Sequence, residues 1–283
     1  MKFGINTLLW TAAFDEGNLD LLPRIKEGGF DGVEIARFSF AGWPVAKIRR
    51  ALEANQLECT FCSALTGQVS LAAEDKKPAL GFLTDAIHCA ADLGASVLAG
   101  PFCAPVGYLP GRRRTSDEWQ RVIDGLRALT PVLDESGVTL AVEPLNRFET
   151  FLLNTTADAR AMCEAVDHPK VGVLYDTFHA NIEEKSIGGA LQSLGSHHLL
   201  HVHASENDRG TPGTGHVPWA DLRDALKKMD YRGWVVIESF GSAIKEIAAA
   251  ASIWRDLAPT ADEIAFDGVK FLRKLFNDPV SSR

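Results

Sequence analysis

The sequence has few of the features that mark secreted, membrane-bound or nucleic-acid-binding proteins. Its 283 residues include only five cysteines, and an odd number of widely spaced cysteines argues against a disulfide framework. No apolar run reaches the length of about 18 residues that a membrane helix needs. The first residues, MKFGINTLLW, lack the basic region and cleavage site of a signal peptide. These absences predict a cytoplasmic protein with no membrane partner.

The chain is also short of positive charge. Its net charge is −8 and its pI is about 5.5, whereas nucleic-acid binders usually present a basic face, so no nucleic-acid partner is expected. The one dense basic run, Arg112–Arg114, is either a solvated loop or an anion contact. Cys59 and Cys62 form a CxxC without a second such pair, inside a strand-like segment. We interpret them as buried thiols rather than a zinc or redox site.

Short aliphatic segments alternate with longer amphipathic stretches along the whole chain. A doubly wound sheet would normally place a glycine-rich phosphate loop after the first strand, but that turn is NTLLWTAAF here. The spacing of about 25–40 residues between segments fits one βα unit each. The pattern therefore predicts an α/β fold, a (β/α)8 TIM barrel in a single domain over residues 1–283, with an extra C-terminal helix. The predicted strands are FGIN, GVEIA, LECTFCSA, SVLAG, TLAVE, VGVLYD, LLHVHA and WVVIES.

Acidic and imidazole side chains lie at the ends of the last four predicted strands. Glu143 ends strand five and Asp176 ends strand six, while His203 and Glu238 lie near the ends of strands seven and eight. Because active sites of such barrels lie at the carboxyl ends of the strands, these side chains should meet. Three carboxylates at low local dielectric repel one another unless a cation or protons intervene. Oxygen donors with one imidazole suit Mn²⁺, Mg²⁺ or Co²⁺, so one divalent ion is predicted, with Mn²⁺ expected.

Other polar residues near strand ends have less certain roles. His201 shares a strand face with His203 because side chains alternate with a period of two, and it is expected to fill a lower layer of the barrel. Glu34 either supports a metal ligand or bonds to the backbone. Asn6 and Trp10, at and just past the end of strand one, are predicted to contact substrate, with core packing as the alternative.

Five segments resemble a known family, the ketose 3-epimerases, which act on D-tagatose, D-psicose (allulose) or L-ribulose and belong to the xylose-isomerase-like TIM barrels. The motifs are E-x-x-N-R-x-E, D-T-F-H-x-N-I-E-E, and H-x-H followed by E-x-x-R and P-G-x-G. The resemblance is densest between Glu143 and Leu257, whereas GPFCAPVGYLPGRRR departs from the psicose-type pattern and leaves the preferred sugar open. The segments are EPLNRFETFLLNT, LYDTFHANIEE, HVHASENDRGTPGTGHVPW, VVIESF and IWRDLA.

The resemblance implies a reaction and a set of roles. The reaction is epimerisation of free ketohexoses or ketopentoses at C3 through a cis-enediolate. One Mn²⁺ or similar ion would be held by the four strand-end residues, and two of these, Glu143 and Glu238, would form the acid/base pair. Glu149, His179 and Arg209 would contact the sugar. The partners would be a small-molecule ketose and further copies of the chain, in a homodimer or homotetramer.

The residues themselves support the same chemistry. Removing a proton next to a carbonyl needs a base on one side and stabilisation of the enolate oxygen on the other, and carboxylates on strands five and eight can act from opposite faces. The loop residues Asn146 and Arg147 have no assigned role beyond bracing the loop. One alternative is a sister barrel enzyme, such as an aldose–ketose or hydroxypyruvate isomerase or an inosose or dehydroshikimate dehydratase. The others are an endonuclease IV-type barrel, disfavoured by the negative charge and only eight histidines, and a non-catalytic sugar- or metal-binding barrel.

Overall fold

The computed structural model describes residues 1–277 and contains the predicted closed barrel of eight parallel strands. Neighbouring strands follow chain order, and the first strand pairs with the eighth to close the ring. Residues 278–283 of the predicted domain lie outside the described residues. The strands are β1 Lys2–Asn6, β2 Gly32–Ala36, β3 Glu58–Cys62, β4 Val97–Gly100, β5 Thr139–Val142, β6 Val171–Asp176, β7 Leu199–Ala204 and β8 Trp234–Ile237.

Helices follow the strands and cover the outside of the barrel. No helix within residues 1–277 is both long and apolar enough to cross a membrane. The segment after β8 contains two helices, as predicted, and the longer one packs Phe276 against Phe3 of β1 with ring centroids 5.8 Å apart. The α-helices described are α1 Leu21–Glu27, α2 Val45–Ala54, α3 Lys77–Leu93, α4 Ser116–Ser136, α5 Thr156–Val166, α6 Thr177–Glu183, α7 Ile187–Leu194, α8 Trp219–Lys228, α9 Lys245–Ala250 and α10 Ala261–Asn277.

The short helix α6 is an addition to the predicted pattern. It begins directly at the end of β6 because Asp176 caps it, with Oδ1 accepting a hydrogen bond from the backbone N–H of Phe178 at 2.7 Å. One carboxylate oxygen of Asp176 is therefore used to start the helix. The other oxygen, Oδ2, is left to face the barrel mouth.

The barrel interior has an apolar lower layer and a polar upper end. Val97, Ala99, Ala141 and Leu174 form a small buried cluster separate from the main core. Because strand side chains alternate with a period of two, Ala141 shares its face with residue 143 and Leu174 shares its face with Asp176. The candidate site therefore lies directly above a packed apolar layer, at the carboxyl end of the barrel.

Gly32, the first residue of β2, has no room for a side chain because the backbone of β3 and the Trp234 ring of β8 lie against it. A Cβ there would lie 2.4 Å from the Glu58 carbonyl oxygen and 2.5 Å from the Trp234 ring. We predict that Gly32→Ala lowers the free energy of unfolding by about 1–3 kcal/mol, the usual cost of overpacking. Urea unfolding measures this.

Gly81→Ala is the control, since Gly81 is exposed on helix α3 and nothing lies within 4 Å of where its Cβ would be. That substitution should be neutral or stabilising by up to about 1 kcal/mol. Equal effects of the two substitutions would contradict the close approach of the strands.

Candidate metal centre and active site

Four residues from consecutive strands meet at the carboxyl end of the barrel. Glu143, Asp176, His203 and Glu238 are all buried, and each offers one ligand atom within 4.8 Å of the others. Asp176 and His203 lie on β6 and β7, and the two glutamates directly follow the last residues of β5 and β8. The structure thus brings together the four residues predicted to hold a metal ion.

Two buried atoms of this cluster have no hydrogen-bond partner among residues 1–277. They are Glu143 Oε1 and His203 Nδ1. An unmatched buried acceptor is costly, and a bound cation would satisfy both atoms. Three carboxylates and one imidazole form the oxygen-rich donor set that hard divalent ions prefer. The residues present therefore fit a divalent metal ion.

Glu34 lies behind the cluster and contacts one of its members. Its Oε1 is 2.7 Å from His203 Nε2 and accepts a hydrogen bond from Asn6 Nδ2 at 2.9 Å. Its Oε2 accepts from Thr60 Oγ1 at 2.9 Å and lies 2.8 Å from His201 Nε2. A carboxylate at Nε2 holds the proton there and leaves the Nδ1 lone pair facing the cluster. Of the two roles that the sequence left open for Glu34, the geometry supports that of holding a metal ligand.

The carboxylates of the cluster create a strongly negative electrostatic potential at the barrel mouth. Burial raises the pKa of Glu143 well above its ordinary value, and the nearby Glu238 carboxylate raises it further. Burial lowers the pKa of His203, but Glu238 and Glu34 outweigh it and hold that pKa well above the usual range. Both shifts have the same physical meaning: the cluster draws a positive charge, a proton or a cation, to the point where these side chains meet.

Arg209 supplies positive charge beside the cluster. Its Nη1 donates to Asp176 Oδ2 and to Glu238 Oε2, each at 2.7 Å, and to Ser205 Oγ at 2.8 Å. Burial would raise the pKa of Asp176, but the charge of Arg209 outweighs it and holds the pKa at about 2. The Asp176 carboxylate is therefore ionised over the whole physiological range.

The Arg209 guanidinium is also held by ring contacts. It lies over the Phe178 ring, 4.1 Å from its centroid, and 4.9 Å from that of Phe240. Its Nη2 is 3.1 Å from His179 Nε2. Such contacts favour one orientation of the planar cation. The predicted sugar contacts Arg209 and His179 thus lie side by side at the cluster.

Asn146 links the two other predicted sugar contacts. Its side-chain Nδ2 donates to Glu149 Oε1 at 2.7 Å, and its backbone N–H donates to His179 Nδ1 at 3.1 Å. Burial lowers the pKa of His179 to about 4, so the ring is neutral at physiological pH. Arg147 braces the same loop through two bonds of 2.9 Å to the Glu183 carboxylate. The role of Asn146 depends on a contact across 33 positions, which the sequence could not show.

A cavity of about 190 Å³ opens over the cluster. Its polar wall contains Glu143, Glu149, His179, Arg209 and Glu238, and most of the remaining lining is apolar. Phe38, Cys62 and Ser63 also line it. The apolar side chains include Leu8, Phe38, Cys62, Val106, Leu145 and Phe240.

Two predicted substrate contacts, Asn6 and Trp10, do not line this cavity. Asn6 is fully buried, and besides its bond to Glu34 its Oδ1 accepts from the Leu8 backbone N–H at 2.9 Å. That bond caps a short 3-10 helix, Thr7–Leu9, which turns Leu8 toward the cavity. Trp10 instead donates from Nε1 to Asp262 Oδ1 on α10 at 3.0 Å. The prediction placed both residues correctly near the strand end but did not foresee this turn.

Two of the three arginines in the basic run before α4 form ion pairs within the protein. Arg112 makes two bonds to the Glu118 carboxylate, at 2.9 and 2.8 Å. Arg114 makes two bonds to the Asp158 carboxylate, at 3.0 and 2.9 Å. These pairs fasten the loop between β4 and α4, so the two guanidinium groups are neither simply solvated nor free to bind an anion.

Comparison with known proteins places these features in context. A family described as "Xylose isomerase-like TIM barrel" matches residues 22–275. A Synechocystis protein named "Probable ketose 3-epimerase" is 38% identical over 98% of this chain and 97% of its own length. A D-psicose 3-epimerase from Ruminiclostridium cellulolyticum is 31% identical over 94% and 93%. The structure of Methylomonas D-allulose 3-epimerase in complex with D-allulose matches with a TM-score of 0.91 at 26% identity, covering 97% of this chain and 96% of that one.

The contact between Glu34 and His203 leads to a prediction about metal affinity. Glu34→Gln keeps the side-chain shape but removes the carboxylate that holds the Nε2 proton of His203. We expect the affinity for Mn²⁺ to fall by about 10–100-fold, the usual cost of losing such a partner. Calorimetric titration of the metal-free protein measures it.

Glu118→Gln provides the control, because Glu118 is a buried glutamate that binds Arg112 away from the cluster. Its Mn²⁺ affinity should equal that of the unmodified protein. An unchanged affinity in Glu34→Gln would show that Glu34 does not support the metal ligand.

Proposed function

The chain belongs to the xylose isomerase-like TIM barrel family, and we propose that it is a metal-dependent ketose 3-epimerase, an isomerase that inverts C3 of free ketoses. The names of its curated relatives support this activity. One observation carries the proposal: Glu143 and Glu238 come from opposite sides of the Asp176–His203 pair and converge on one candidate metal site. Two carboxylates around one reacting carbon are what an inversion by proton removal and return requires.

The proposed mechanism uses the two glutamates as proton carriers. One glutamate, as its carboxylate, removes the proton from C3, and the other, as its carboxylic acid, donates a proton to the opposite face of the planar enediolate that results. In the reverse direction the two exchange roles. The raised pKa of Glu143 suits a group that must hold a proton during part of the cycle. A divalent ion held by Glu143, Asp176, His203 and Glu238 would supply positive charge that stabilises the enediolate and so makes the C3 proton more acidic.

The neighbouring polar residues orient the sugar in this proposal. Nη2 of Arg209 and the neutral His179 ring lie together at the cavity wall, where both can stabilise charge that develops on O2. Glu149 lies at the same wall and is held by Asn146. We assign it to a substrate hydroxyl. The matching of these residues to sugar atoms rests on the family resemblance.

Free sugars rather than sugar phosphates fit the cavity. Arg209 is the only lysine or arginine that lines it within residues 1–277, and its guanidinium already pairs with Asp176 and Glu238. A phosphate would therefore find no available cation. A sister isomerase or dehydratase is not favoured, because the curated relatives described above are named as 3-epimerases.

Three finer expectations are also proposals. Mn²⁺ is proposed as the resident ion because three carboxylates outnumber the one imidazole. A cytoplasmic location is proposed because all five cysteines are free thiols. A homodimer or homotetramer is proposed because large apolar side chains are exposed in one groove next to the cavity.

The acid/base assignment is tested with Glu238→Gln. The Mn²⁺-loaded protein is incubated with D-fructose, D-tagatose or L-ribulose, and the products are separated by sugar chromatography. The unmodified protein should form a C3 epimer from at least one ketose and none from D-fructose 6-phosphate. Glu238→Gln should slow turnover by about 10²–10⁴-fold, the size of a lost general acid or base.

Two further measurements complete this test. Calorimetry should show that Glu238→Gln still binds Mn²⁺, since the amide retains one oxygen, and Glu118→Gln should epimerise at the normal rate. Full activity in Glu238→Gln would reject the acid/base role, and no C3 epimer from any ketose would reject the proposed function.

Self-association is tested at the exposed apolar groove. Phe148 and Trp254 are 70% and 78% exposed there, beside Ile182. Trp254→Glu should shift the mass measured by light scattering from that of a dimer or tetramer toward a monomer, because a charge buried at an interface is costly. Lys270→Glu, on the exposed face of α10, should leave the mass unchanged. A monomeric unmodified protein, or an unchanged mass in Trp254→Glu, would contradict the proposal.

A further inference from the structure

The loop between β7 and α8 contains a fully buried carboxylate, Glu206. Within residues 1–277 its hydrogen bonds come from N–H groups of its own loop and of the first residue of α8. Oε1 accepts from the backbone N–H groups of Asn207 at 3.1 Å and Val217 at 3.0 Å. Oε2 accepts from the Gly213 N–H at 2.8 Å and from Trp219 Nε1 at 2.9 Å. Since a buried charge is costly unless it is matched, these four donors fix the loop around the carboxylate.

The returning half of the loop lies directly on this carboxylate. A Cβ at Gly215 would lie 2.6 Å from Glu206 Oε1 and 2.1 Å from Asn207 Oδ1. The Asn207 side chain adds a further bond, since its Oδ1 accepts from the His216 N–H at 2.9 Å. The segment from Gly213 to Val217 thus packs directly against the Glu206 side chain.

Arg209 lies in the same loop, between Glu206 and Gly213. Its backbone has φ +65°, a left-handed conformation that non-glycine residues rarely adopt. Its N–H donates to the Glu206 carbonyl oxygen at 3.0 Å, and its own carbonyl oxygen accepts from Ser239 Oγ. An unfavourable backbone conformation persists only when the surroundings enforce it. Asp208 Oδ1 accepts from the Gly210 N–H across Arg209 at 2.9 Å, and the bonds of Glu206 join the residue after it to the far half of the loop.

We propose that Glu206 is a positioning residue that holds Arg209 in its left-handed conformation, so that the guanidinium reaches Asp176, Glu238 and His179. Glu206 lines neither the catalytic cavity nor the metal cluster and acts through Arg209 alone. The catalytic part of this inference rests on the proposed epimerase function. The conformational part, that Glu206 holds the backbone of Arg209, is independent of that function.

Glu206→Gln isolates this effect. The amide keeps the volume of the carboxylate, but its NH₂ group faces two N–H donors and cannot accept a hydrogen bond from either of them. The loop loosens, and kcat of the Mn²⁺-saturated protein should fall by about 10–100-fold, as expected for a displaced catalytic group. The Mn²⁺ affinity should not fall, because a displaced Arg209 takes positive charge away from Asp176 and Glu238. Glu118→Gln, which changes a buried glutamate in the first turn of α4, should keep its normal kcat.

A double-mutant cycle separates positioning from general destabilisation. If Glu206 acts through Arg209, adding Glu206→Gln to Arg209→Lys should lower kcat by much less than it does in the unmodified protein. The same fold-loss in both backgrounds would overturn the proposal, and so would a normal kcat in Glu206→Gln. Failure of the unmodified protein to epimerise any ketose would instead reject the proposed function.

Limited trypsin digestion tests the conformational part without any activity. Arg209 is buried, so trypsin should cut after it slowly in the unmodified protein and in Glu118→Gln. In Glu206→Gln the fragment that ends at Arg209, identified by mass spectrometry, should form at least several-fold faster. An equal rate of this cut in all three proteins would overturn the proposal whatever the outcome of the kinetics.

Discussion

Mutual repulsion among three buried carboxylates is the constraint that organises the mouth of this barrel. Glu143, Asp176 and Glu238 lie close enough to share one ion, and at low local dielectric their negative charges cannot coexist without compensation. Arg209 compensates two of them directly. The remaining negative field favours positive charge at the cluster, where Glu143 Oε1 and His203 Nδ1 have no hydrogen-bond partner among residues 1–277. A site that must attract a cation and can hold a proton follows from this charge arrangement.

The parallel barrel explains why the charges converge. Each strand delivers its last inward-facing side chain to the same end, so four consecutive βα units supply four donors without any long connection. The same units also supply the supporting contacts. Asp176 starts α6 with one oxygen and binds Arg209 with the other, and the loop after β7 holds Arg209 itself. The earlier strands and the loops that follow them provide the supporting Glu34 and half of the apolar cavity wall.

Features that depend on period and spacing could be predicted from the sequence, whereas features that depend on loop geometry could not. The eight strands and the convergence of residues such as Asp176 follow from alternating side chains and the length of a βα unit. Trp10 does not line the cavity, because a 3-10 turn redirects the chain after β1. The bridging role of Asn146 and the anchoring role of Glu206 depend on bonds within and between loops, for which the sequence has no periodic signal.

In the proposed reaction, Glu143 and Glu238 face the same carbon from opposite sides. A crystal structure of the Mn²⁺-loaded Glu238→Gln protein with a bound ketose tests it most directly, because the slow variant retains the substrate. We expect C3 to lie between the two side chains, each about 3–3.5 Å away in a near-attack arrangement. If C3 lay near only one of them, or if C1 and C2 occupied that position instead, the proposed epimerisation at C3 would be contradicted.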